Sequence, residues 1–276
     1  MGLFEKKYCD VCGEKIGLLG NRKLEDANLC KHCASKLSPW FNERRHSTLE
    51  QIKEQLDYRE ENKAAVAAFH TTLSFGSYTK LLIDEDARRF MVTSARNLEE
   101  ANPDVVDFSQ VTGCELDVDE NKREITTKDK DGKTVSYNPR RYEYSYDFDI
   151  IIRVNNPYFD EMKFQLNGSS VKTGERSIND THARPGTSSL LGDLLGGVSS
   201  PAQGGNRFWN AEYQEYYDTA QTIRQILLKG RQEVREEAAA ENAPAKKMTC
   251  PFCQATTTPD ASGCCEFCGS VIVSGK

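Results

Sequence analysis

The sequence predicts an α+β protein: an antiparallel β sandwich or barrel, capped by a C-terminal helix and flanked by two small cysteine-built modules. Three observations predict it. Nine of the ten cysteines fall in the two ends, between Cys9 and Cys33 and between Cys250 and Cys268, and only Cys114 lies in the long middle. From Thr72 onward the apolar residues recur at every second position, in short runs broken by turn residues. One long segment of helical period, residues 208–241, follows these runs and precedes the second cysteine cluster. The boundaries implied are a finger over 1–46, a helix over 47–69, a β domain over 70–235 with an insertion at about 176–206, a linker over 236–247 and a second module over 248–276.

The totals narrow the function classes. Hydrophobic residues are 38% of the 276 and charged residues 28%, the balance of a soluble, polar chain. The longest apolar runs, "DIIIRV" and "TKLLIDE", are far too short to span a bilayer, and Met1 to Lys7 lacks the apolar stretch of a secretion signal. A cytoplasmic location is therefore expected. The formal net charge of -6 argues against a general nucleic-acid binder, which displays a basic face. In a reducing compartment disulfides are lost, so paired CxxC units there are explained by metal.

The N-terminal module reads "YCDVCGEKIGLLGNRKLEDANLCKHCASKL": Cys9-x2-Cys12, seventeen residues, then Cys30-x2-Cys33. Each tight turn offers two thiolates, and the spacer lets the two pairs meet tetrahedrally around zinc. Gly13 follows the second ligand, where a tight knuckle needs a residue tolerant of positive φ. "NRKLEDANL" suits a hairpin and "CKHCASKLSPWF" a short helix that stops before Pro39, giving a treble-clef-like finger. His32 sits within "CKHC", but four thiols already suffice.

The C-terminal module is "TCPFCQATTTPDASGCCEFCGSVIV". Cys250-x2-Cys253 forms one knuckle, and Cys265-x2-Cys268 followed by Gly269 repeats the CxxCG form of the first finger. The pairs are then eleven residues apart, long enough for a hairpin and too short for a helix, and the segment resembles a short zinc ribbon. Cys264 is surplus to this set. Two zinc ions are expected, both structural, because four thiolates close each coordination sphere whereas a catalytic zinc keeps a position open for water. Modules this small need the metal to fold, and binding supplies on the order of 10 kcal/mol. Disulfide-oxidoreductase chemistry needs its CxxC at a helix N-terminus in a βαβ context, for which neither end has the length.

Between the modules, "STLEQIKEQLDYREENKAAVAAF" is a helix with Leu49, Ile52, Leu56, Val66 and Phe69 on its apolar side and Ser47 or Thr48 as N-cap. Its middle turns are polar, and it is expected to space the finger from the next domain. "TLSFGSYTKLLIDEDARRFMV" then reads as two strands around a turn at Asp84 to Ala87, and "VVDFSQVTGCELDVDENKREITT" as two more turning at Asp119 to Lys122. Asp131-Gly132 marks a further turn, "YEYSYDFDIIIRV" alternates unbroken from Tyr142 to Val154, and "EMKFQL" supplies another strand. The closing helix carries Trp209, Tyr213, Tyr216, Ala220, Ile223 and Leu227 on one face.

About seven strands, one amphipathic helix and the internal Phe108-x-x-Val111-x-x-x-Glu115-Leu116 resemble the bacterial pleckstrin-homology-like domains over residues 70–235. The insertion departs from that pattern: it is rich in Gly, Ser and Pro, yet places Leu190, Leu191, Leu194, Leu195 and Val198 at helical spacing. Docking on the parent domain, a protein partner and a membrane surface are the three readings of that segment, the last weakened by Arg184 being its one nearby cation. The finger, through "CDVCGEKIGLLGNRKLEDANLCKHC", is similar to the bacterial family called domain of unknown function 4428, which implies zinc binding and no activity.

No nucleophile elbow, P-loop, dinucleotide fingerprint or HExxH helix is present, and His32, His46, His70 and His182 are scattered. Asp147 and Asp149 share a strand face that alternates with the aromatic one and are expected to be solvated. The sequence therefore points to a non-enzymatic, zinc-binding adaptor or assembly protein with a protein partner, a lipid or membrane surface being the second kind of partner. The alternatives are a nucleic-acid-binding zinc-finger protein, hinted at by Lys6, Lys7, Lys15, Arg22 and Lys23, with Glu14, Glu25 and Asp26 interleaved among them, and an enzyme whose site is invisible in sequence.

Overall fold

The structure, a computed structural model, describes residues 6–177, 210–241, 247–260 and 262–272. The chain divides into two compact units, Met1–Arg231 and Gln232–Lys276. It is a mixed α and β protein with antiparallel sheets and a long C-terminal helix. Among the described residues no helix is long and apolar enough to cross a membrane.

The first unit begins with a hairpin of β1 (Arg22–Lys23) and β2 (Asn28–Leu29), followed by the one-turn helix α1 (Lys31–Ala34). Helix α2 (Leu49–Ala67) starts at Thr48, whose hydroxyl accepts from the Gln51 amide while the Gln51 side chain accepts from the Thr48 amide. This capping box satisfies two donors that the helix start would otherwise orphan. Asp26 Oδ1 accepts a third, the Leu49 N–H, at 2.9 Å and so ties the hairpin to the helix. Ile52 is fully buried in one apolar cluster with Cys9, Ile16, Leu24, Leu29 and Leu37. The first turns of α2 therefore belong to the finger.

The expected spacer is joined to the β domain as well. Its polar middle turns are buried: Gln55, Arg59 and Asn62 are 0%, 5% and 6% exposed. Arg59 donates to Asp104 Oδ1 at 2.7 Å, to the Asn102 carbonyl and to the Lys36 carbonyl at 3.2 Å. Asn62 Nδ2 donates to Asn102 Oδ1 at 2.7 Å and to the Pro103 carbonyl at 2.8 Å, and Ser38 Oγ donates to Asp104 Oδ2 at 2.9 Å. Asn102 can turn its backbone into this site because it sits at φ 47 after the short helix α3 (Leu98–Ala101), a conformation Asn tolerates. A second seam is aromatic: Tyr158 lies 5.0 Å from Tyr58 of α2 and 6.5 Å from Phe41.

The first sheet has the order β3 (Leu73–Phe75), β4 (Lys80–Asp84), β5 (Arg89–Thr93), β6 (Val106–Asp107), all antiparallel. Its first run holds three strands with β6 besides, where the sequence suggested two, because Gly76 at φ 98 breaks the run before Lys80. The second sheet is built on β7 (Val111–Lys128) and β8 (Thr134–Val154). No turn occurs at Asp119 to Lys122: these residues pair straight through with Asp147 to Tyr144 of β8, and the polar run that suggested a turn is a strand exposed on both faces. The reversal falls at Asp129 to Lys133, with Gly132 at φ 77.

The other edge of β8 is shared. Its C-terminal half pairs with β9 (Glu161–Gln165) and its N-terminal half with β10 (Val171–Ser177), a strand absent from the sequence reading. Between them the buried Asn167 accepts the Phe148 N–H at 2.8 Å, so the gap in the ladder leaves no orphan donor. Among the described residues the two sheets form no closed barrel.

Tyr144, Tyr146, Phe148, Ile150, Ile152 and Val154 all point into the core, as the alternation required. Helix α4 (Ala211–Glu241) covers them: Tyr213 stacks edge-on at 5.1 Å from Tyr146 and 4.9 Å from Phe148, and Ala220, Ile223 and Leu227 are buried along the same face. The helix continues through the start of the expected linker to Glu241. Trp209 and the Leu190 to Val198 segment lie outside the described residues. The second unit, after the helix, contains the short hairpin β11 (Met248–Thr249) and β12 (Thr256–Thr257).

Candidate metal centres

Three of the four CxxC pairs are built as the same knuckle. The Cys9 N–H donates to the Glu14 carbonyl and the Gly13 N–H returns to the Cys9 carbonyl; Cys250 with Ala255 and Gln254, and Cys265 with Ser270 and Gly269, repeat both bonds at 2.8 to 2.9 Å. The pattern forces the residue after the second cysteine into left-handed backbone: Gly13 at φ 74, Gly269 at φ 69 and Gln254 at φ 59. Glycine fills two of these places at no steric cost, and Gln254 fills the third with strain. The fourth pair is different. Cys30 is the N-cap of α1, its Sγ accepting from the Cys33 N–H at 3.3 Å.

These supports bring the sulfurs of Cys9, Cys12, Cys30 and Cys33 together, and those of Cys250, Cys253, Cys265 and Cys268, with all Sγ atoms of each group within 4.8 Å of one another. Cys12 and Cys30 are 3.7 Å apart, Cys250 and Cys268 3.6 Å, and Cys253 and Cys265 3.7 Å. A tetrahedron with metal–sulfur bonds of about 2.3 Å has edges of about 3.8 Å, whereas a disulfide closes to about 2.0 Å. All ten cysteines are free thiols. The spacing fits a four-thiolate metal, and each group could hold one ion.

The electrostatics point the same way. Against the upward push of burial, amides of Cys12, Cys30 and Val11 aimed at its sulfur bring Cys9 down to about 6. Cys33 is driven far up by burial and by hydrogen bonds to the three other thiols. In the second group the Ser270 hydroxyl and amide bring Cys268 down to about 6. Cys253 is pulled down by the Ala255 amide, yet burial and its three neighbouring thiols push it up to about 12. Four thiols this close cannot all ionise against one another, and a cation at the centre removes the conflict.

The remaining sequence candidates are elsewhere. Cys264 turns its thiol toward the Ser262 carbonyl at 3.8 Å and is not part of the second group. His32 is exposed on α1 and does not join the first. Cys114 is buried in β7, where burial pushes its thiol up to about 12. Asp147 and Asp149 lie on the face of β8 that alternates with the buried one, as expected, and both are partnered there: Asp147 accepts from Asn121, Gln165, Asn167 and Ser170, and Asp149 pairs with Lys163 at 3.0 Å. Two features escaped the sequence. Gln254 was hidden because a non-glycine residue holds a glycine position, although its place after CxxC marks it. Arg44 and Arg45 were missed because they join Arg22 and Lys23 only once the finger is folded.

The family model described as Domain of unknown function (DUF4428) matches residues 7–55, which span the first cysteine group and the opening turns of α2. No curated protein and no solved structure matches the chain.

Proposed function

We propose that this is a non-enzymatic adaptor or assembly protein in which two structural zinc ions hold recognition modules around a pleckstrin-homology-like β domain. The observation that carries the reading is the sulfur geometry: edges of 3.6 to 3.7 Å between protein thiols describe centres whose four positions are all taken by protein. Such an ion supplies folding energy and offers no place for substrate. Two antiparallel sheets and one C-terminal helix that packs on Tyr146, Phe148 and Phe108 support the pleckstrin-homology-like reading of the middle. The partner is expected to be a protein, and nucleic acid is the weaker alternative.

Metal analysis of the purified full chain is expected to give two zinc ions. Cys265→Ser should leave one and Cys264→Ser two, and the reverse result overturns the ligand assignment. Affinity purification of the full chain from its native cell, compared with Cys9→Ser, should lose its co-purifying proteins when the first ion is lost. A metal-dependent turnover of any small molecule would overturn the non-enzymatic reading.

A further inference from the structure

One face of the finger gathers four cations against a single lining carboxylate, Glu25. Arg22 and Lys23 on β1 and Arg44 and Arg45 on the 3-10 turn Glu43–His46 line one surface cleft of about 610 Å³. Arg44 Nη1 donates to the Lys23 carbonyl at 2.8 Å, so strand and turn are tied and the charges cannot drift apart. Glu25 is the one acid among the lining residues, and none of the four cations forms an ion pair among the described residues. Burial, then the charges of Arg45 and Arg22, push the Arg44 guanidinium below its ordinary value. The cleft is crowded with like charge and suits an anion.

Beside it stands an apolar tip. The turn Gly17 to Gly20, closed by the Gly20 N–H on the Gly17 carbonyl at 3.0 Å, holds Leu18 and Leu19 at 81% and 89% exposure, the two most exposed large apolar side chains described. Ile16 anchors its stem in the finger core, and Arg22 Nη1 donates to the Leu19 carbonyl at 3.4 Å, linking tip and cleft. A nucleic acid would satisfy the cations and leave both leucines in water. A protein pocket would need a broader apolar rim than two residues on a protruding turn. An anionic bilayer satisfies both features, since the headgroup region takes the cations and the boundary of the acyl chains takes the leucines. The net charge of -6 does not oppose this at close range, because repulsion from distant acids is screened beyond about 8 Å at physiological salt.

We propose that this face is a membrane-docking surface, which inserts Leu18 and Leu19 into the interface of a bilayer containing anionic lipid while Arg22, Lys23, Arg44 and Arg45 meet the headgroup phosphates. It deepens the adaptor reading by giving one of its modules a partner, and rests on it only in that the finger must be folded.

The test is sedimentation of the zinc-loaded full chain with vesicles of phosphatidylcholine alone or with about one-third phosphatidylserine. Binding to the anionic vesicles only is expected. Arg44→Glu with Arg45→Glu should lower partition by about 30-fold or more, at roughly fivefold per cation. Leu18→Ser with Leu19→Ser should lower it about tenfold or more at unchanged zinc content, because both side chains are solvent-facing in the free protein. Equal binding to neutral vesicles, indifference to both double variants, or displacement of the vesicles by duplex DNA would each overturn the surface. A zinc-replete chain that stays in the supernatant overturns the surface and leaves the zinc reading standing. A metal-free chain that still binds in the variant-sensitive way overturns the zinc reading and supports the surface.

Discussion

Arg59 and Asp104, forty-five residues apart, meet at 2.7 Å with side chains only 6% and 0% exposed. The pair is the point where three pieces of chain join: Ser38 from the finger reaches the same carboxylate, and Asn62 of α2 grips the Asn102 to Pro103 loop beside it. Finger, helix and β domain consequently belong to one compact unit. Breaking a buried pair from one side leaves a charge without its partner, at a cost of about 3 to 5 kcal/mol. Arg59→Ala should destabilise the first unit by that order, whereas Lys63→Ala, which removes a solvent-screened pair with Glu60, should leave the unfolding midpoint close to that of the unsubstituted chain. Urea unfolding of the two variants checks it, and equal midpoints would refute the junction. Replacing Arg59 and Asp104 together by Met and Leu should cost much less than either single change.

Asp84 gives the acid limb of stability a specific source. Its two oxygens accept the His70 and Ala87 N–H groups at 2.8 and 2.9 Å. Burial alone would raise its carboxyl, but these amides hold it below the ordinary carboxylate value. A depressed folded value means the contribution is complete above the unfolded value and is lost as pH falls through the folded one. Asp84→Asn should therefore weaken the protein at pH 7 by about 1.5 to 3 kcal/mol, the worth of charge-assisted bonds. It should also flatten the loss of stability as pH falls from about 4 downward, through the unfolded carboxylate value and then the lower folded one. Melting curves at both ends of that window decide; an unaltered acid slope would show that Asp84 does not set it.

What was legible in the sequence is what chemistry repeats. The CxxC spacings could be read because ligand geometry demands them, and β8 because one buried face imposes a period of two from Tyr144 to Val154. What was illegible depends on distant partners. Arg59 and Asn62 look like solvent-facing helix positions until Asn102 to Asp104 is brought to them. β10, "VKTGERS", has Gly174 at φ 89 in a bulge and too few apolar residues to announce itself, and is a strand because β8 offers it an edge. The turn at Asp119 to Lys122 was misplaced because a strand with both faces exposed carries the composition of a loop.

Gly230 explains part of the Phe108 motif in physical terms. A Cβ at this position would lie 2.2 Å from the Phe108 ring, which is itself buried and 6.3 Å from Phe90. Gly230→Ala should gain about 1 kcal/mol of helix propensity in isolation. In the protein it should still destabilise by about 1 to 3 kcal/mol, because the helix must lift or the ring leave its rotamer. Adding Phe108→Leu should recover part of the loss. A stabilised single variant, seen as a raised unfolding midpoint, would mean that α4 does not seat on Phe108.

The two metal centres should behave unequally on metal loss. Cys9, Cys30 and Cys33 share their apolar cluster with Ile52 of α2, and the same helix carries Arg59, so unfolding the finger withdraws support from the buried carboxylate of Asp104. The second group sits in the separate unit Gln232–Lys276, whose own hairpin and knuckles surround it. Cys9→Ser should accordingly speed hydrogen exchange in peptides from the Asn102 to Val106 segment and lower the main unfolding midpoint. Cys250→Ser should release one zinc ion and leave both readings where they were. An unaltered exchange rate over Asn102 to Val106 in Cys9→Ser would contradict the junction at Arg59.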